Sequence, residues 1–237
     1  MYVGDFMSMN RKMVIILCGV LFLLFLFIGY FVINDIVQAS VFKSEIARIE
    51  KMDIKKDKYD VKLKTIGKHR VVEKKIKNYL YNYSSGLVDI SKTMNDKILA
   101  NLLSITNFKE DGKSFEKSIA YLESTKIDFN KEIDDLISYS DKDRIMDNIS
   151  SLDMDEYYVS LYTNVMIDGS IYFKLVDSCN ELKTTKEEFN TLLDNTLAVL
   201  NFLKSNKDNW ELEDDKIMFQ NKDLMNQYNL LVQKIKK

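Results

Sequence analysis

The sequence predicts an all-α protein: an N-terminal transmembrane helix, then an elongated helical bundle that carries a small C-terminal β-hairpin. Three observations lead there. The 237 residues include no proline and only seven glycines, so long stretches lack the residue types that most reliably interrupt a helix. Residues 13–33 carry no charge. Beyond them, apolar residues recur at threes and fours through most of the chain, the spacing of helices with one buried face. Setting aside the first forty residues leaves roughly 200, which fits one domain with its own core.

Residues 1–12 read as a short tail ending in Arg11 and Lys12. Met13 to Ile33, as a helix rising 1.5 Å per residue, spans about 31 Å and matches a hydrocarbon core of about 30 Å. A core helix of a soluble protein would show a polar face over six turns. Here only Gly19, Gly29 and the interfacial Tyr30 depart from large apolar residues. Leu17 before Cys18, and the apolar run continuing past it, exclude lipid attachment there. Val37–Gln38–Ala39 supplies a small-x-small cleavage pattern, but the apolar stretch exceeds the roughly 7–15 residues of a secretory signal. An uncleaved anchor is expected, with release after Ala39 as an alternative. Arg11 and Lys12 abut the span, whereas Lys43, Arg48 and Lys51 follow at a distance on the other side. That adjacency favours a cytoplasmic tail and an extracytoplasmic bulk, since long domains translocate largely regardless of charge.

Residues 34–66 read as a helical stalk or linker, with Val37, Val41, Glu45, Arg48 and Met52 marking turns until Tyr59, Val61 and Leu63 alternate and break the period. The bundle then occupies 67–237. Ile76, Tyr79, Tyr83, Leu87, Ile90, Met94, Ile98, Leu102 and Ile105 predict one helix of eight turns, in phase across Gly86, where glycine costs about 1 kcal/mol relative to alanine. Gly112 is its expected stop and Ser114 the expected cap of the next helix. Phe115, Ile119, Leu122, Phe129, Ile133 and Leu136 define that helix, and a short one surrounds Ile145, Met146 and Ile149. Asp153 is then expected to cap a helix holding phase from Tyr158 to Leu203 across Gly169, with a turn at Asp168–Gly169–Ser170 as the alternative.

Over 209–220 the habit changes. A turn at Asp214–Asp215 sets Trp210 opposite Phe219 and Leu212 opposite Ile217 in a hairpin. Leu224, Tyr228, Leu231 and Ile235 give a closing helix. This ending, with its Trp210, acidic turn, "KIMF" and "QYNLL", resembles the tails of uncharacterised membrane-anchored helical envelope proteins of low-G+C bacteria. The resemblance implies location but no function. The abundance of Lys, Asn, Ile and Tyr beside scarce Ala and absent Pro agrees with an A+T-rich genome.

A net charge of −2 gives no support for a nucleic-acid role. Residues 43–77 are locally basic, thirteen Lys and Arg against six Asp and Glu. That run reads either as a contact with anionic lipid or wall polymer or as a solvated face balanced by acidic segments, the second being expected. Cys18 and Cys179 cannot pair if one lies in the bilayer. His69 is the only histidine, and its neighbours Lys68 and Arg70 point to a surface position. A triad or zinc site would thus have at most one imidazole. Cys179 lies on an apolar stripe and reads as core.

"EDGKSF" has Asn107 where a phosphate loop needs glycine, and as a calcium loop it would put Lys109 and Ser118 at ligand positions. Asp134–Asp135 and Glu187–Glu188 point about 100° apart on a helix and read as solvated faces. Tyr79, Tyr83, Tyr158, Tyr162 and Tyr172 fall on core stripes, with hydroxyls expected at the rim. No catalytic, cofactor-binding or metal residue is assigned. The expectation is a non-enzymatic interaction or scaffold module, held in the bilayer through Met13 to Ile33 and partnered by another envelope protein. A ligand-sensing module that signals through a membrane partner is the alternative.

Overall fold

A computed structural model describes residues 4–57, 59–214 and 216–235, with side chains over 21–27 and from 32 onward within those ranges. The fold is mostly helical with a small C-terminal antiparallel sheet, as the sequence predicts. Helix α1 runs Gly4–Ile49, about 69 Å at the usual rise. It is the one described helix long and apolar enough to cross a membrane. From Leu21 to Phe27 every side chain is between 47% and 74% exposed, so the bundle covers none of this apolar stretch. Side chains 13–20 and 28–31 of the predicted span, and residues 1–3 of the tail, lie outside the described residues.

Past the apolar stretch the same helix acquires a buried face. Phe42, Ile46 and Ile49, at spacings of four and three, enter the core, and Ile54 and Tyr59 follow from the loop after α1. Residues 34–66, read as a stalk, therefore add several side chains to the hydrophobic core of the bundle. After residue 66 come α2 (Gly67–Met94), α3 (Lys97–Asn101), α4 (Ile105–Asp111), α5 (Glu116–Ile137), a 3-10 turn (Ser138–Ser140), α6 (Lys142–Ser150), α7 (Glu156–Met166) and α8 (Ser170–Ser205). β1 (Trp210–Glu213), β2 (Lys216–Phe219) and α9 (Lys222–Ile235) complete the order. The hairpin has the expected register, Trp210 opposite Phe219 and Leu212 opposite Ile217. Trp210 is buried and donates to the Leu203 carbonyl at 2.8 Å, which ties the hairpin to the end of α8.

Several boundaries differ from expectation, each for a local reason. The predicted eight-turn helix is three helices, because Asp96 accepts from the Ile98 amide and Ser104 from the Asn107 amide, capping α3 and α4. Such side chains compete with helical bonding and favour caps. Ser114 does not cap α5. Asp111 does so from the preceding turn, accepting from the amides of Lys117 and Ser118 at 3.1 and 2.8 Å, while Phe115 takes a left-handed φ of 50°. The later helix starts at Glu156 rather than just after Asp153, and it stops at Met166. Asp168 and Gly169 form a turn before α8, where a Cβ on Gly169 would lie 2.7 Å from the Val165 carbonyl oxygen. Gly86 stays inside α2 as predicted. A Cβ there would sit 2.4 Å from Leu136 on α5, so this glycine marks a close approach of two helices rather than a mere weakness.

Candidate functional site

The most chemically distinctive place in the fold is the junction where α1 enters the bundle. Its charged and hydrogen-bonding residues come from three segments: Glu45 and Arg48 of α1, Asp60 and Thr65 of the loop, and Glu73 and Lys77 of α2. Lys77 is 1% exposed, and its Nζ lies 2.7 Å from Glu45 and 2.9 Å from Glu73, both buried. It also donates to the Lys62 carbonyl. Glu73 accepts from the amides of Lys64 and Thr65 and from the Thr65 hydroxyl, the last at 2.6 Å. Arg48 closes the outer side with ion pairs to Glu45 at 2.7 Å and Asp60 at 3.3 Å.

Burial alone would raise the pKa of Glu73, but the hydrogen bonds from Thr65, Lys77 and the two amides outweigh it, and the carboxyl ends below its ordinary value. For Lys77, burial pulls downward and is outweighed by Glu45 and Glu73, so the ammonium ends above its ordinary value. Both groups are therefore held charged. Buried charges persist only when paired and hydrogen-bonded in this way.

A second cluster lies one to three turns nearer the start of α1. Asp35 accepts from the Tyr158 hydroxyl at 3.1 Å and approaches His69 Nδ1 at 3.4 Å. Gln38 accepts from the Ile66 amide at 2.9 Å. His69 is 1% exposed, tilted against Phe42 and edge-on to Tyr158, and its Nε2 is buried without a partner among the described residues. The surface position expected for this histidine is thus corrected. The charges of Lys68 and Arg70 do not decide its position, because residues one apart on a helix diverge by about 100°. At its far end α1 meets Lys174 of α8, which donates to the carbonyls of Glu50 and Met52 at 2.6 and 2.8 Å. Lys55 in the following loop pairs with Asp177 and Glu181 of α8.

The remaining candidates have structural partners. Cys179 is buried beside the Tyr83 hydroxyl and the Leu136 carbonyl. Asp134 pairs with Lys186 and Asp135 with Arg144, two different neighbours, as their divergence on α5 requires. Tyrosine hydroxyls expected at the rim turn inward: Tyr79 donates to the Tyr139 carbonyl, Tyr83 to Ser178, and Tyr162 accepts from Asn148. Burial pushes all three phenols up, Tyr162 to about 12, so each stays protonated at neutral pH. Five of the thirteen cations of the basic run 43–77 have carboxylate partners among the described residues: Arg48, Lys55, Lys56, Lys68 and Lys77.

Glu73 and Lys77 carry the i,i+4 spacing of a helical ion pair, a signal available in the sequence. The spacing does not reveal that α1 covers it. No protein-family model matches the chain, and no curated protein or solved structure is similar to it.

Proposed function

We propose that the protein is a single-pass, membrane-anchored helical interaction module. Its first dozen residues lie in the cytoplasm, its bulk lies outside, and it acts by binding rather than by bond-making chemistry. The supporting observation is that one unbroken helix carries the bare apolar stretch and then, from Asp35 to Ile49, the residues that lock into the bundle. An apolar stretch of this length left uncovered is stable in lipid and costly in water. Retention rather than release follows from the same helix, since a cut after Ala39 would sever Asp35 and Gln38 from Tyr158, His69 and Ile66. The cytoplasmic assignment of the tail rests on Arg11 and Lys12 beside the span.

Protease treatment of intact cells or spheroplasts carrying a C-terminal tag, with membrane fractionation, tests this. Loss of a membrane-bound tag is expected. A protected tag reverses the orientation, and a tag in the medium means cleavage.

A further inference from the structure

The path of the chain after α1 brings one end of the bundle level with the end of the apolar run. α1 and α2 meet in ascending order, Gln38 with Ile66, Phe42 with His69 and Glu45 with Lys77, so both run away from the predicted span side by side. Between them the chain turns back, from Asp60 beside Arg48 down to Ile66 beside Gln38. α7 also starts at this level. Its Tyr158 hydroxyl donates to Asp35 at 3.1 Å, and Asp155 just before it pairs with Lys68. Burial and the Asp35 carboxylate push the Tyr158 phenol up to about 12, which keeps that donor in place at neutral pH. Asp35 and Gln38 stand two and five residues past Ile33, or about 3 and 7.5 Å along the helix. The interfacial layer is about 5–8 Å deep on each side of the hydrocarbon, so the groups bonded to these two residues stand within it.

Four side chains at that level are left about half exposed or more. Ile36 and Val37 of α1 are 64% and 49% exposed, Ile66 is 50% exposed and Tyr157 52%. Tyr157 has its ring edge-on to Tyr158 at 5.0 Å and to His69 at 6.3 Å between centroids, which places it beside the Asp35 contact. Single exposed apolar residues are ordinary on a protein surface. What sets these four apart is their level, beside the end of an uncovered apolar run of the same chain.

We infer that this end of the bundle is a second membrane contact, in which Tyr157 and Ile66 sit in the headgroup layer as interfacial anchors and, with Ile36 and Val37, hold the bundle against the bilayer. A tyrosine suits that place, apolar in its ring and polar at its hydroxyl. The partner is the lipid surface itself rather than an anionic headgroup, because Lys68 is already paired with Asp155, and Asp35 and Glu156 stand at the same level. Anchors of this kind set the tilt of a spanning helix, and α1 is joined to these through Asp35 and Gln38. The inference rests on the reading of Met13 to Ile33 as the span, but not on which compartment holds the bundle.

Tyr157→Trp and Ile66→Trp, made separately in the full chain, test it in phosphatidylcholine nanodiscs, one chain per disc, with or without a nitroxide on the headgroup. Phe173→Trp is the control. It is an exposed aromatic beside Lys174, which bonds the Glu50 and Met52 carbonyls, so it stands about 20 Å or more past Ile33. After subtraction of the parent's Trp210 emission, the nitroxide is expected to remove about half or more of the added emission in Tyr157→Trp and Ile66→Trp and almost none in Phe173→Trp. The same quenching is expected at high salt, since an apolar contact is not screened as charges are. Quenching no greater than in Phe173→Trp overturns the inference, as does quenching that disappears in salt. Quenching in one-chain discs that is lost in two-chain discs assigns the face to a second copy and overturns it too. Where one variant lowers the unfolding midpoint of the chain, the other decides. A chain that elutes apart from the discs overturns the anchored reading itself, whereas one that enters them with both added tryptophans unquenched loses only the second contact.

Discussion

Lys77 has carboxylates from two helices within 3 Å and a carbonyl as well, in a place water does not reach. Replacing it with Met would leave Glu45 and Glu73 facing each other without that cation, and removing one partner of a buried pair costs about 3–5 kcal/mol. Lys77→Met is expected to lose that amount in denaturant unfolding of the detergent-solubilised chain. Glu73→Gln should lose about half as much, since an amide oxygen can still accept from Thr65 and the two backbone amides. The pH response has a definite sign. Because Glu73 is held below its ordinary value, its contribution is present above the unfolded carboxyl's pKa of about 4.3 and is lost as pH falls through the lower folded value. Lys77 is shifted upward, so its contribution is complete below about 10.4 and lost as pH rises through the folded value. The thermal midpoint should therefore be highest between about pH 5 and 10 and fall on acidification, with a flatter acid limb in Lys77→Met. At this scale the sequence reading passed over the i,i+4 spacing of Glu73 and Lys77 and misled at His69, because charge on flanking residues says nothing about the face between them.

The long periodic helices were legible because their apolar phase is set by burial, which acts over many turns at once. Breaks were less legible where the phase carries on through them. Leu102 stays buried beyond the interruption at Asn95 and Asp96, while Met94 and Ile98 at the break are exposed. Cap chemistry decides such points, and Asp96→Ala is expected to cost about 1 kcal/mol through the lost α3 cap, measured by chemical denaturation. Gly86 carries the opposite lesson. Alanine in mid-helix is ordinarily better by about 1 kcal/mol, but here its methyl would displace buried Leu136, and overpacking costs about 1–3 kcal/mol. Gly86→Ala should be destabilising by about 1 kcal/mol, and Leu136→Val in the same chain should return part of it. A gain in stability from Gly86→Ala alone would show that α2 and α5 are not in close contact at that point.

For the molecule as a whole, proline-free composition and helical periodicity were enough to foresee helices around a core with a terminal hairpin. They did not show that the continuation of α1 is part of that core. Its buried face, Phe42, Glu45, Ile46 and Ile49, is mixed in polarity, and Glu45 is burial-competent only because Arg48 on α1 and Lys77 on α2 both pair with it. A chain lacking residues 1–33 is accordingly expected to be soluble without detergent and to unfold cooperatively. One lacking 1–50 should expose the 69–80 face of α2, melt several degrees lower and aggregate, as calorimetry and light scattering will report. Continuity of α1 from the exposed apolar stretch to the ion-paired junction has a further effect. Two screws on one shaft turn together: adding a residue between Ile33 and Asn34 swings everything beyond it by about 100° and lifts it by about 1.5 Å, while adding four swings it by only about 40°. The number of residues inserted before Asn34 would thus set the compass bearing at which each face of the bundle stands relative to the apolar stretch of the same helix.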